Sequence, residues 1–190
     1  MKNRYSQLLS AIDLFKPQSI VEVGTWNGQN AIRMIQQAQK HHKKYISYVG
    51  YDLFETATNT TDSEELNVKA HYTAHEVECD IKKACPGVDV LLIKGNTRDT
   101  LKNIQADFAF IDGGHSVETI ANDYNACKNS HVIIMDDYYI ADEDGALPDL
   151  MKYGCNQLVD LFSSGVVLPL ADRVRGGGLT QMVLLLAGER

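Results

Sequence analysis

Two short apolar runs end in acid. Phe108 to Ile111 is followed directly by Asp112, and Val132 to Met135 by Asp136 and Asp137. If the runs are neighbouring parallel strands, their backbones lie about 4.8 Å apart and three carboxylates meet at one sheet edge. Left bare, such a cluster repels itself and at least one pKa rises. A divalent cation would resolve the conflict. An oxygen-only set of Asp112, Asp136 and Asp137 suits Mg²⁺, with Mn²⁺ or Ca²⁺ also possible. The plainer alternative is that one or two of the three form turns or cap helices. His115 follows Asp112 by three residues, after Gly113 and Gly114. Its near-neutral pKa makes it a candidate general base, or else a backbone-bonded residue at a helix start; Lys94 is a weaker candidate base.

The elements that must position these groups open with Ser19 to Ile35. Ile20, Val21 and Val23 read as a strand that stops at Gly24, and after Gly28 the apolar residues Ala31, Ile32, Met34 and Ile35 recur at helical spacing. Strand, glycine turn and helix form the opening unit of a doubly wound sheet, where a ligand sits outside the strand's carboxyl end. The helix N-terminus behind the turn favours an anionic group. Asp52, closing a second strand over Ile46 to Tyr51, is placed to accept hydrogen bonds from ribose hydroxyls. The turn reads Gly-Thr-Trp-Asn-Gly, and Trp26 stands where the Gly-x-Gly-x-x-Gly of dinucleotide enzymes needs glycine. Gly95, Asn96 and Thr97, after a third strand over Val88 to Ile93, suit the edge of a purine.

Elsewhere, a helical stripe over residues 4 to 15 is closed by Pro17. A helix over Gln29 to Lys40 runs into a basic His41-His42-Lys43-Lys44 segment. Residues 55 to 62 predict a loop. Residues 63 to 85 predict a helix that sets His71 and His75 four apart on one face, an exposed helix or lid in preference to a metal site. Helices over Thr97 to Asn103 and Ser116 to Lys128 alternate with the strands, which argues for a parallel α/β sheet in a single domain, residues 1 to 190. Gly165 to Arg173 and Leu179 to Ala187 predict two strands joined through Gly176-Gly177-Gly178.

The formal net charge of −7 opposes binding to nucleic acid. No apolar run is long enough to span a membrane, and the N-terminus lacks the apolar core of a secretion signal, so a cytoplasmic protein is expected. The four cysteines form no Cys-x-x-Cys pair and are expected as free thiols.

The stretches Val-Glu-Val-Gly-Thr-Trp-Asn-Gly, Phe-Ile-Asp-Gly-Gly-His and Ile-Met-Asp-Asp resemble those of class I S-adenosylmethionine-dependent methyltransferases, and within them the metal-dependent O-methyltransferases related to catechol and macrolide-sugar enzymes. The resemblance implies a Rossmann-like seven-stranded sheet, mostly parallel with an antiparallel C-terminal strand. It implies S-adenosylmethionine held by Glu22, Gly24, Thr25, Trp26, Gly28 and Asn30 at the methionine end. Asp52 and Leu53 would hold the ribose, Gly95, Asn96 and Thr97 the adenine, and Asp112 would border the cofactor and join Asp136 and Asp137 on the metal. His115 falls where the catechol enzyme has its catalytic lysine, which leaves the base open. The short stretch before residue 4 implies that the N-terminal cap of some relatives is absent or supplied by a partner. The expected reaction is methylation of a small-molecule hydroxyl. The alternatives are a metal-free enzyme acting on nitrogen or carboxylate, a non-catalytic cofactor-binding module, and, disfavoured by Trp26, a nicotinamide-dependent oxidoreductase. A homo-oligomer is compatible with all of these.

Overall fold

A computed structural model describes residues 3–42, 45–149, 153–161 and 165–186. Lys43, Lys44 and Ala187 of the segments above lie outside the described residues. The first strand, β1 (Ser19–Val23), is flanked by β2 (Ser47–Asp52) and β4 (Phe108–Ile111), both parallel to it. β3 (Asp89–Lys94) pairs with β2, and β5 (Val132–Ile140) with β4. The chain then reverses: β8 (Leu179–Leu186) runs antiparallel to β5 and carries the two short strands β6 (Val166–Val167) and β7 (Asp172–Arg173). The order β3-β2-β1-β4-β5-β8-β6, with β7 also on β8, gives eight strands where seven are expected. The extra one arises because the run from Gly165 to Arg173 is interrupted at Pro169, which has no N–H for the ladder.

Strand side chains alternate between two cores, as a sheet covered on both faces requires. Ile20, Phe108, Phe110 and Ile134 pack against α1 (Arg4–Phe15), α2 (Gln29–Gln39) and α4 (Ala74–Ala84) through Leu8, Ile12, Met34, Ile35, Val77 and Ile81. Val21, Val23, Ala109, Ile111 and Met135 pack on the other face against α6 (Val117–Cys127) and α7 (Gly154–Val159). A single-turn α5 (Thr97–Thr100) is shorter than expected because Leu101 turns into the core with an extended backbone.

The connection after β2 departs most from expectation. Residues 55 to 62 are not a plain loop: a 3-10 turn over Phe54–Thr56 is followed by α3 (Asn59–Glu64). Thr58 caps α3 through a reciprocal pair with Thr61, a signal that burial patterns miss because the helix buries none of its residues. The helix expected from residue 63 begins only at Ala74, where Thr73 and Glu76 form a capping box. His71 and His75 therefore do not share a helix face. The four cysteines are free, with Cys85, Cys127 and Cys155 buried. Among the described residues no helix is long and apolar enough to cross a membrane.

Candidate functional site

The strand order reverses at β1 and β4, and a cleft of about 250 Å³ opens outside their carboxyl ends. Its floor needs glycine. Gly24 has φ 90°, and a Cβ there would lie 2.0 Å from the Asp112 carbonyl oxygen, so the two strand tips meet only because Gly24 has no side chain. Trp26 also sits in the left-handed region, at φ 49°, which is how the turn completes without the usual glycine. Asp52 ties the turn to β2: its carboxylate accepts from the Trp26 N–H and the Phe54 N–H, both at 2.8 Å. Thr25, Asn30, Leu53, Gly95, Asn96 and Thr97 complete the walls. The Asn96 side chain caps α5 by accepting from the Arg98 N–H.

A flap over residues 58–73 forms the outer side. Thr61, Asp62, Glu65, Asn67, Lys69 and His71 face the cleft. His71 bonds Asp62 at 2.8 Å, and the Trp26 indole N–H donates to the Ala70 carbonyl at 2.8 Å. The Lys69 ammonium lies 5.2 Å from the Trp26 ring centroid, within cation–π range. At the other end the Glu65 carboxylate accepts from the Ser116 N–H and the Thr119 hydroxyl, which pins the flap to the start of α6.

Beside the cleft, Asp112, Asp136 and Asp137 border one small void, and side chains of this chain already engage them. Arg4, on the first turn of α1, donates from Nε to both oxygens of Asp136 (2.8 and 3.1 Å) and from a terminal nitrogen to Oδ2 (3.0 Å). The Tyr5 hydroxyl lies 3.2 Å from Asp136 and 3.4 Å from Asp112, bridging the two. Asp137 adopts φ 61° where the β5–β8 register slips between Met135 and Tyr138. That bulge turns its carboxylate toward His115 Nε2, 2.9 Å away. His115 Nδ1 lies 2.6 Å from the Glu65 carbonyl oxygen. An acceptor faces each ring nitrogen, which favours the charged ring. Burial opposes that charge, but Asp137 outweighs burial and the His115 pKa rises. Burial and the neighbouring charges of Asp136 and Asp137 push Asp112 well above the usual carboxylate range. Burial and Asp137 also raise Asp136 against the pull of Arg4. For Asp137, His115 and Arg4 overcome burial and hold the pKa low.

This arrangement does not fit the expected divalent cation. Asp136 spends both oxygens on a guanidinium, and Asp137 faces the His115 ring at 2.9 Å. The void bordered by Asp112, Asp136, Asp137 and His115 is about 10 Å³, room for roughly one water, whereas Mg²⁺ keeps several. Among the described residues no group of three or more His, Cys, Asp or Glu is disposed to hold a metal ion.

Two expected cofactor residues also fall elsewhere. Glu22 is fully buried beneath the turn, on the α1–α2 face, where it accepts from the Tyr48 hydroxyl; strand alternation sends it away from the cleft that Val23 borders. Gly28 starts α2 in the left-handed conformation, and a Cβ there would press on Val77 at 2.9 Å, so it serves helix packing. Sequence reading missed Arg4, Tyr5, Glu65 and Lys69. The first two sit on a helix that reads as an apolar stripe, and the last two in the segment, residues 63 to 85, that reads as an exposed helix or lid.

A family model described as a methyltransferase domain matches residues 21–138. A search of curated proteins finds no match. Among solved structures, the chain is similar to the O-methyltransferase TomG from Streptomyces achromogenes in complex with SAM, at 14% identity and TM-score 0.60, covering 97% of this chain and 79% of that one. It is similar to an O-methyltransferase from Bacillus cereus in complex with SAH, at 18% identity and TM-score 0.63, covering 96% and 80%. It is also similar to the O-methyltransferase NovP, at 18% identity and TM-score 0.66, covering 95% and 79%. The match over more than half of its length, on a sheet of this order, makes the chain a member of the methyltransferase domain family with the fold of class I S-adenosylmethionine-dependent methyltransferases.

Proposed function

We propose that this chain transfers the methyl group of S-adenosylmethionine to a hydroxyl oxygen of a small molecule. The observation that carries the reading is one continuous cleft that strings the Gly24 turn, Asp52, Asn96 and Thr97, and Asp112 along the carboxyl ends of β1 to β4. The turn and Asn30 receive the methionine end, Asp52 the ribose hydroxyls, and Leu53, Gly95, Asn96 and Thr97 the adenine. The sulfonium methyl is then directed toward the Asp112 end. O-methyltransferases among the similar structures favour oxygen as the acceptor atom.

In the step itself the acceptor oxygen forms a bond to the methyl carbon as the carbon–sulfur bond breaks in line. The bonding pair stays on sulfur and leaves S-adenosylhomocysteine. The hydroxyl proton passes to Asp112. Arg4 and His115 neutralise Asp136 and Asp137, so Asp112 is the one carboxylate of the three without a cationic partner, and burial raises its basicity. His115 has an acceptor against each ring nitrogen, so we assign it to orienting Asp137 and the α6 loop and not to proton removal. Positioning of oxygen, methyl and sulfur by the cleft supplies the remaining rate.

The test is transfer of labelled methyl from S-adenosylmethionine to a panel of sugar, phenol and alcohol acceptors. Asp112→Asn should lower turnover at least ~100-fold, the usual worth of a general base, while cofactor affinity stays within a few-fold. Full turnover by Asp112→Asn, or transfer only to amines or carboxylates, would overturn the assignment.

A further inference from the structure

The Arg4 guanidinium stands where carboxylates converging from β4 and β5 would otherwise need a metal, and it is held there by more than one contact. Its third nitrogen bonds Asp172 at 3.1 Å, so it bridges β5 and β7. One helical turn later, Gln7 exchanges two hydrogen bonds with the backbone of Leu170, at 3.1 and 2.7 Å. Leu8 and Ile12, both fully buried, fix α1 to the sheet. Arg4 is therefore part of the packed fold. Its Nη2 also lies 3.1 Å from the Tyr5 hydroxyl, the group that reaches Asp112 at the cleft wall.

We propose that Arg4 is the resident cation of this acidic cluster, and that methyl transfer here is independent of divalent metal. The proposal rests on the methyltransferase reading above. Geometry supports it: Arg4 occupies both oxygens of Asp136, and the His115 ring lies 2.9 Å from Asp137, so two of the three carboxylates are already engaged by side chains of this chain. Adding a divalent cation to that set would require Arg4 to leave Asp136. A guanidinium fork matches a carboxylate bidentately and cannot be deprotonated at ordinary pH, so it does the neutralising work without a hydration shell. Arg4 touches Asp136, Asp172 and Tyr5 and no reacting atom, which makes it a positioning residue: it keeps Asp136 silent and the Tyr5 hydroxyl aimed between Asp136 and Asp112.

The experiment is a Mn²⁺ titration of the full chain, read by loss of the free-ion paramagnetic resonance signal. Wild type, Arg4→Ala, Arg4→Lys and the double variant Arg4→Ala/Asp136→Asn are compared, with S-adenosylmethionine binding measured on the same samples. Wild type should take up no Mn²⁺ saturably and keep its turnover in EDTA. Arg4→Ala should bind Mn²⁺ at least ~10-fold more tightly than wild type, and the double variant should lose that gain. Arg4→Lys should resemble wild type in rejecting the metal, because the charge remains. Stoichiometric Mn²⁺ uptake by wild type, turnover abolished by EDTA, or no gain in Arg4→Ala that still binds cofactor would overturn the proposal. If Arg4→Ala does not fold, the wild-type and Arg4→Lys measurements decide. Failure of every sample to bind S-adenosylmethionine would instead overturn the cofactor reading, whatever Mn²⁺ does.

Discussion

At the scale of single residues, the turn and the cluster are governed by which polar groups are allowed to stay charged. Glu22 is fully buried, and one carboxylate oxygen has no partner. Burial lifts its pKa to about 8, with the Tyr48 hydrogen bond pulling the other way and Asp52 adding to the rise. Glu22 is therefore neutral in the folded chain at pH 7 and ionised in the unfolded one. A raised folded-state pKa contributes stability that is complete below the unfolded value of 4.5 and is lost as pH rises toward about 8. Between those limits this group removes up to ~1.4 kcal/mol per pH unit. Glu22→Gln keeps an acceptor for Tyr48 and cannot ionise. Urea unfolding at pH 5, 6, 7 and 8 should show the falling wild-type trend flattened in the variant; identical slopes would mean that Glu22 does not titrate across the transition. Neighbouring Gly24 has a steric role of equal consequence. Gly24→Ala would set a methyl group 2.0 Å from the Asp112 carbonyl oxygen at φ 90°. It should cost more than ~3 kcal/mol, in the range of backbone-clash substitutions, or leave no folded protein on expression.

At the scale of elements, the site is a sheet edge met by two further pieces of chain, the flap and α1. The flap is pinned at the turn by Trp26 and at α6 by Glu65. Glu65→Ala removes the acceptor for the Ser116 N–H and the Thr119 hydroxyl. It should raise the KM for S-adenosylmethionine by roughly 10-fold, the equivalent of one charged hydrogen-bond anchor, while kcat changes less. Trp26 is the chain's one tryptophan and donates to the Ala70 carbonyl of the flap, so its emission reports whether that contact survives in the variant. The sequence made the sheet edge readable because strand-ending Gly24, Asp52 and Asp112 lie at the ends of short apolar runs. The flap was legible only as an exposed helix or lid, and its actual elements were not, because α3 buries nothing and is held by Thr58–Thr61 capping and the Asp62–His71 pair. Arg4 was hidden in another way. It reaches Asp136 across 132 positions of sequence, and nothing local to Arg-Tyr-Ser-Gln foretells that contact. Tyr138 to Ile140 extend β5 because β8 offers a partner beyond the bulge, another long-range effect.

At the scale of the whole molecule, the described residues form a sheet covered by a core on each face, with a cleft at the point where the strand order reverses. Its acidic balance, −7 overall, suits a cationic ligand better than a polyanion. The fold class was legible because strand and helix patterns alternate through β5. The division of labour at the acidic cluster was not, because three carboxylates read the same whether a metal or a guanidinium holds them. Equilibrium dialysis of the chain against methyl-labelled S-adenosylmethionine tests the central claim most directly. The account predicts one saturable site per chain, displaced by S-adenosylhomocysteine and weakened at least ~10-fold by Asp52→Ala. No saturable uptake at cofactor concentrations up to about 1 mM, or uptake unaffected by Asp52→Ala, would contradict it.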